Sequence, residues 1–279
     1  MNKKISFTKM QGAGNDFVIL DNRDGHIPPE FYAALAKELC CRRISLGADG
    51  CMFVEPARMG GDYAMMFYNS DGSIGEMCGN GARCIARYGY DRGLAGKTQR
   101  IETTAGLVTG KRIAEDRYQV RLNDPEAHRP SVSIATDDNT YECVYWELGN
   151  PGIPHAIVRL EDWDQWPVET LCKLGRQLRF ATEFPRGANV TFWKTVGKNH
   201  VKAITYERGV EDFTLACGTG AGCTAATLRA MGFANEEEIR LDFPGDVLSV
   251  SLQQTDGRIH DIYLTGPAVT VAEGNAYLQ

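Results

Sequence analysis

Two seven-residue segments of this 279-residue chain carry the residues best suited to chemistry. The first is Cys78-Gly79-Asn80-Gly81-Ala82-Arg83-Cys84, and the second is Cys217-Gly218-Thr219-Gly220-Ala221-Gly222-Cys223. In each, a cysteine stands directly before Gly-x-Gly and a helix-compatible run. That order predicts a thiol at a helix N-terminus, where free backbone N–H groups and the helix dipole favour the thiolate. The glycines predict a tight turn that a ligand can approach closely, and free N–H groups there suit a carboxylate. Two such sites would equip a protein to move the α-proton of an amino acid. Inversion at a carbon removes a proton from one face and returns another to the opposite face. It therefore needs two near-identical acid/base groups whose roles exchange with direction. Amides aimed at the carboxylate would stabilise the negative charge that develops.

The elements that position these thiols repeat. Cys78 and Cys217 lie 139 residues apart, and so do Gly93-Leu94-Ala95 and Gly232-Phe233-Ala234, as well as Gly106 and Gly245. Tyr68 and Tyr206 precede their cysteines by 10 and 11 residues. Asp124-Pro125 and Gly266-Pro267 keep step with a slip of three. Several matches at one offset predict a duplicated domain. The polar stretch 123–140, with Pro125 and Pro130, predicts the boundary. The halves are then 1–128 with the Cys78 motif and 129–279 with the Cys217 motif, the last strand at about 267–279 being free to return to the first half. Apolar runs of strand length fall at 63–68, 118–122, 141–145, 190–193, 201–206 and 247–252. Helical patterns fall at 31–39, at 171–179 and after each Cys-Gly-x-Gly. Strands packed around a helix in each half predict an α+β protein of two pseudo-symmetric halves, with the active site in the cleft between them.

Composition narrows the class. Hydrophobic residues make up 43% of the chain, enough for a core, and the formal net charge is −6 with no basic run. That balance argues against nucleic acid or an anionic membrane as partner. Residues 1–14 hold no apolar core of signal-peptide length, and the run 17–20 is too short to span a bilayer, so a cytoplasmic protein is expected. The nine cysteines are odd in number and contain no C-x2-C pair, which argues against a disulfide framework and against zinc. Most are expected to be buried small hydrophobes.

The motifs resemble the diaminopimelate epimerase family nearly end to end. The resemblance runs through Lys9-Met10-Gln11-Gly12-Ala13-Gly14-Asn15-Asp16-Phe17, Gly47-Ala48-Asp49-Gly50, Tyr68-Asn69-Ser70-Asp71-Gly72-Ser73 and Met77-Cys78-Gly79-Asn80-Gly81-Ala82-Arg83. It continues through Asn189, Tyr206-Glu207-Arg208-Gly209, Ala216-Cys217-Gly218-Thr219-Gly220-Ala221 and Pro244-Gly245. It implies two similar α+β halves, each a β-barrel-like sheet around a central helix. It implies epimerisation of LL- to meso-diaminopimelate, in lysine and cell-wall precursor synthesis, with no cofactor and no metal. Cys78 and Cys217 resemble the acid/base pair, supported by Glu207 and His155. Gly79, Asn80, Gly218 and Thr219 resemble the grip on the reacting carboxylate. Asn15, Asn69, Asn189, Glu207 and Arg208 resemble substrate-binding groups. Taken alone, Asn15 and Asn69 read as turn formers, Glu207 and Arg208 as a solvated pair, and His155 as a structural histidine.

The chain also departs from the family. In Gly149-Asn150-Pro151-Gly152-Ile153-Pro154-His155, either three residues follow Asn150 as an insertion or Ile153 stands in place of an asparagine that touches substrate. Gly50 stands where some members have glutamine, and Phe243-Pro244-Gly245-Asp246 differs from the commoner Pro-Gly-Gly. The alternatives are a racemase of another amino acid, such as histidine, on the same fold, and a thiol-redox regulated binding protein without turnover. The related phenazine-biosynthesis isomerase family uses a carboxylate where this chain has its cysteine pair. The partner expected is a small-molecule amino-acid substrate, with a homodimer open as the assembly. If the thiols are the acid/base pair, Cys78→Ala and Cys217→Ala each lower turnover by about 10²–10⁴-fold with the fold retained. Cys84→Ala and Cys223→Ala are expected to be mild. Steady-state assays with circular dichroism check this, and losses below tenfold at both 78 and 217 exclude a two-thiol mechanism.

Overall fold

The computed structural model describes residues 4–75, 78–150, 152–235 and 237–278. Met77 and Pro151, which belong to motifs quoted above, lie outside the described residues. In chain order the elements are β1 (Lys4–Gly12), β2 (Asn15–Asp21), α1 (Tyr32–Leu39), β3 (Gly50–Glu55), β4 (Tyr63–Asn69), α2 (Gly79–Asp91), β5 (Thr98–Thr103), β6 (Gly106–Arg112) and β7 (Arg117–Arg121). There follow β8 (Pro125–Ala135), β9 (Thr140–Leu148), β10 (Ile153–Arg159), α3 (Val168–Arg179), β11 (Asn189–Gly197), β12 (His200–Tyr206), β13 (Phe213–Thr214), α4 (Gly218–Ala230), β14 (Glu238–Asp242), β15 (Val247–Thr255), β16 (Arg258–Pro267) and β17 (Val269–Tyr277). Two compact units result, one of Met1–Val120 with Gly266–Gln279 and one of Arg121–Thr265.

Period-two alternation builds two cores in the first unit. All of β3 is buried, and its side chains leave the strand in opposite directions. Met52 and Val54 join Phe17, Ile19, Cys84 and Ile85 in the core around α2. Cys51 and Phe53 join Val18, Leu20, Tyr32 and Leu39 in the core beneath α1. Helix α2 packs on β1, β2 and β6 and is buried on nearly every side from Gly79 to Ala86, so the sheet bends around it. In the second unit α3 covers one face with Leu171, Leu174 and Leu178, against Tyr145, Val158 and Phe192. Helix α4 is buried from Gly220 to Leu228 against β9, β10, β11 and β15.

The internal repeat is a repeat of topology. In the first unit β17, β1 and β2 run antiparallel, β2 and β3 parallel, β3 and β4 antiparallel, β4 and β5 parallel, and β5, β6 and β7 antiparallel. In the second unit β8, β9 and β10 run antiparallel, β10 and β11 parallel, β11 and β12 antiparallel, β12 and β14 parallel, and β14, β15 and β16 antiparallel. The crossovers from β2 to β3 and from β10 to β11 carry α1 and α3. Those from β4 to β5 and from β12 to β14 carry α2 and α4. The C-terminal strand β17 pairs with β1 as β8 pairs with β9.

Two local expectations differ from what is seen. Most of the polar stretch 123–140 is strand, because β8 pairs with β9 along its length. Its prolines cost little, since Pro125 and Pro130 fall at breaks in the register. The glycines of Cys-Gly-x-Gly do not form a turn before a helix, since the helices begin at Gly79 and Gly218. The second glycine is needed for close packing. A Cβ on Gly220 would lie 3.0 Å from Thr191 Oγ1 and 3.1 Å from Thr205 Oγ1, and one on Gly81 would lie 2.5 Å from Met52 Cε.

The far end of α2 is held by a buried polar staple. The Tyr63 hydroxyl donates to Gln99 Oε1 (2.6 Å), and Gln99 Nε2 donates to Ala86 O (2.7 Å). A Cβ on Gly89 would collide with the Tyr63 hydroxyl and come within 2.7 Å of Gln99 Oε1. Gly89→Ala therefore destabilises the fold by about 1–3 kcal/mol despite its better helix propensity. Urea denaturation measures it, and an unchanged or raised midpoint contradicts this packing.

Candidate active site

Cys78 and Cys217 are the N-cap residues of α2 and α4, with extended backbones at φ −105°, ψ 117° and φ −113°, ψ 113°. Each helix runs thirteen residues from its thiol. The backbone N–H of Gly220 donates to Cys217 Sγ over 3.4 Å, so the thiol occupies the place of a capping hydroxyl. Sulfur is a weak acceptor. The first-turn amides thus remain available to a stronger anion. Cys78 is half-buried and Cys217 is buried.

The helix N-terminus does not by itself make Cys217 a thiolate. Burial pushes its pKa well above the ordinary thiol value, and the Glu207 carboxylate pushes it further. The Gly220 N–H and the Thr219 hydroxyl pull the other way, as expected of a helix start, and are outweighed. Desolvation of a buried anion exceeds one weak hydrogen bond and a partial dipole charge. Without ligand, Cys217 is a thiol. Cys84 and Cys223, six residues further along each helix, are wholly buried.

The second unit gathers most of the polar residues expected from sequence around Cys217. The Thr219 hydroxyl lies 3.7 Å from Cys217 Sγ and 2.9 Å from His155 Nε2. Asn189 Nδ2 donates to Pro154 O (3.3 Å), and Asn189 Oδ1 accepts from the Arg208 backbone N–H (2.8 Å). Thr214 Oγ1 donates to Glu207 Oε1 (2.6 Å). Register explains the convergence. His155 pairs with Asn189 across β10 and β11, and Tyr206 pairs with Val190, which brings Glu207 and Arg208 to the same strand ends. Asn150 is exposed in the turn between β9 and β10. Ile153 shares the face of β10 with His155, so an apolar side chain occupies that place.

Sequence reading missed the supports of this cluster. The turn after β12 closes through the Glu211 N–H to Glu207 O, with Glu211 in the left-handed region at φ 58°. The Glu211 carboxylate accepts from the Gly209 N–H (2.9 Å) and from Arg179 Nη2 (3.0 Å). Arg186 Nη2 donates to Glu147 (2.6 Å) and Nη1 to Gly152 O (3.1 Å), while Arg208 Nη1 reaches Arg186 O (3.5 Å). The one signal available in the sequence was a Glu in a turn where glycine would be easier.

In the first unit Asn80, in the opening turn of α2, donates through Nδ2 to Asn15 Oδ1. Asn15 opens β2, Gly50 opens β3 and Asn69 closes β4. Phe17 pairs with Gly50 and Gly50 with Asn69, so these residues share one end of the sheet. Asn69 Nδ2 donates to Ser73 Oγ (2.9 Å). A Cβ on Gly12 would lie 3.0 Å from Asn80 O, so glycine there admits the start of α2. Among the described residues no group of His, Cys, Asp or Glu is arranged to hold a metal ion.

This fold is one that solved epimerases share. The structure is similar to a hydroxyproline epimerase from Agrobacterium vitis (TM-score 0.74, 16% identity, covering 100% of this chain and 94% of that one). It is also similar to a phenazine biosynthesis protein of the PhzF family from Bacillus anthracis (TM-score 0.73, 17% identity, covering 99% and 100%). The diaminopimelate epimerase family model matches residues 7–126 and 148–271. Diaminopimelate epimerases from Aquifex aeolicus and Methanocella arvoryzae are each 36% identical, covering 97% of this chain and 97% and 96% of theirs. The chain belongs to the diaminopimelate epimerase family.

His155 is wholly buried, and burial, then the Arg208 charge, pulls its pKa down to about 3. It is therefore neutral at working pH and serves as a hydrogen-bond partner of Thr219. An unfolded histidine titrates near ~6.5. Because the folded value is depressed, the stability it contributes is present above about 6.5 and is lost as pH falls toward 3. The His155 imidazole resonance should not move between about pH 8 and 5. A midpoint near 6.5 in NMR would contradict its buried setting.

Proposed function

We propose that this chain interconverts LL- and meso-diaminopimelate without a cofactor, using Cys78 and Cys217 as the acid/base pair. The supporting observation is the pair of thiols at the N-caps of two equivalent central helices, in a chain matched to this family over nearly its whole length. One thiol removes the α-proton and the other returns a proton to the opposite face. Net proton count is unchanged, and the roles exchange in reverse. Cys217, a thiol at rest, begins as the donor, which leaves Cys78 to start as base. Glu207 stands beside Cys217 and favours its protonated form. The first-turn amides at Gly79, Asn80, Gly218 and Thr219 hold the reacting carboxylate and stabilise charge as the carbanion forms.

Asn15, Asn69, Asn189 and Arg208 then serve recognition. Diaminopimelate carries an amino-acid group at each end, and the non-reacting end needs donors for a carboxylate and acceptors for an ammonium. An arginine can hold a carboxylate through paired hydrogen bonds, and asparagine can both donate and accept. A simple aliphatic substrate would leave such groups unpaired, at a cost of ~1–3 kcal/mol each when buried. No helix among the described residues is long and apolar enough to cross a membrane. A homodimer is the assembly to test by light scattering.

Incubation of LL-diaminopimelate in deuterated water should give the meso form with deuterium at one α-carbon. Specificity constants for diaminopimelate, lanthionine and histidine set the substrate. Arg208→Ala should lower kcat/KM for diaminopimelate by about 10–100-fold, the worth of a charged hydrogen-bonded contact. If histidine outruns diaminopimelate, the substrate assignment fails although the thiol chemistry stands.

A further inference from the structure

Arg83 is wholly buried in the run Ala82-Arg83-Cys84-Ile85-Ala86, where helix periodicity alone would place an apolar residue. Its Nε donates to Pro267 O (3.2 Å), Nη1 to Gly79 O (3.3 Å) and Nη2 to Asn80 Oδ1 (2.7 Å). Asn80 Nδ2 donates to Asn15 Oδ1, and Asn15 Nδ2 donates to Asp49 Oδ2 (3.1 Å). Asp49 also accepts from the Asp16 backbone N–H (3.1 Å) and from Arg42 Nη2 (2.9 Å). Arg42 pairs in turn with Asp16, which Lys9 also contacts (2.6 and 2.8 Å). Burial pushes the Asp16 carboxyl up, but Arg42 and Lys9 outweigh it and hold it ionised.

The order of these bonds has one solution. A guanidinium only donates and an ionised carboxylate only accepts. The Asn80 atom facing Arg83 must therefore be its oxygen, so its nitrogen faces Asn15. The Asn15 atom facing Asn80 must be oxygen, so its nitrogen faces Asp49. Turning either amide over sets donor against donor and acceptor against acceptor. Within the chain, Asn15 uses one lone pair of its oxygen on Asn80 and one of its two amide hydrogens on Asp49.

We propose that Arg83 and Asp49 are positioning residues, the cationic and anionic poles of a directed hydrogen-bond chain that fixes Asn80 and Asn15 so that Asn15 meets the substrate as a donor. It rests on the proposed activity and adds a contact: Asn15 offers its remaining amide hydrogen to a carboxylate oxygen of diaminopimelate.

The half-exposed pole is the better place to cut. Asp49→Ala should lower kcat/KM for diaminopimelate about tenfold, mainly through KM, yet by less than about threefold when Asn15 is already alanine. Asp49→Asn keeps an acceptor oxygen and should recover most of the loss. Equal losses in both backgrounds overturn the proposal. Arg83→Met repeats the cycle from the buried pole. A readout independent of turnover comes from the side-chain amide resonances of ¹⁵N-labelled, substrate-free protein. The Asn15 and Asn80 pairs should be protected from exchange and should shift together in Asp49→Ala. Adding diaminopimelate should move an Asn15 amide proton downfield. Resonances that ignore both changes sink the chain even if activity falls. Protected, coupled amides in a protein inert toward diaminopimelate would instead leave the chain standing and refute the activity.

Discussion

Two helices of this protein begin inside it, and most of the rest follows. A helix start carries backbone N–H groups without intrahelical partners. Where the start is buried, those groups need an acceptor. A serine or aspartate cap would hold one of them firmly. Cysteine caps them more weakly, because the Cys217 sulfur that accepts from the Gly220 N–H is a weak acceptor. The buried amides thus stay receptive to a carboxylate, beside the group that can move a proton. The cost falls on the surroundings. Glycine at 81 and 220 lets the first turn lie close against Met52 in one unit and against Thr191 and Thr205 in the other.

Burial governs the protonation of this site more strongly than the helix dipole does. Cys217 is held as a thiol and His155 as a neutral ring by the same loss of water, acting in opposite directions on an acid and a base. An epimerase needs one acid and one base at the start of each turnover. In the proposed mechanism, a thiol kept protonated by desolvation would supply the acid. The nearby Glu207 carboxylate deepens that preference.

The two units share a topology and differ at the strand ends. The slot of Phe17 in β2 is held by His155 in β10, that of Gly50 in β3 by Asn189 in β11, and that of Asn69 after Tyr68 by Glu207 after Tyr206. The proposed proton transfer in two directions asks for likeness, and both helices begin at a cysteine, half-buried at 78 and buried at 217. Recognition of a substrate with one reacting end asks for difference, and the strand ends differ. Duplication followed by substitution at strand ends meets both requirements without altering the core.

Much of this was legible in the sequence, because it depends on neighbours in the chain. Cysteine before Gly-x-Gly specifies a helix start, the shared offset specifies a repeated unit, and alternation specifies strands; the α+β class and the family follow. Other features depend on residues far apart in sequence. The stretch 123–140 with its prolines reads as a domain boundary, and only pairing with β9 makes most of it a strand. The dipole argument for a Cys217 thiolate was sound locally, and only the surrounding core reversed it. Arg83 read as one more letter of a motif. Its role as a buried pole needed Asn15 and Asp49, which lie tens of residues away in the chain and reach it only through the packing of α2 on β1 and β2. Caps, turns and periodicity are local in origin, so the sequence by itself determined them. Desolvation and hydrogen-bond direction are set by what surrounds a group in space, so only the tertiary structure decided them.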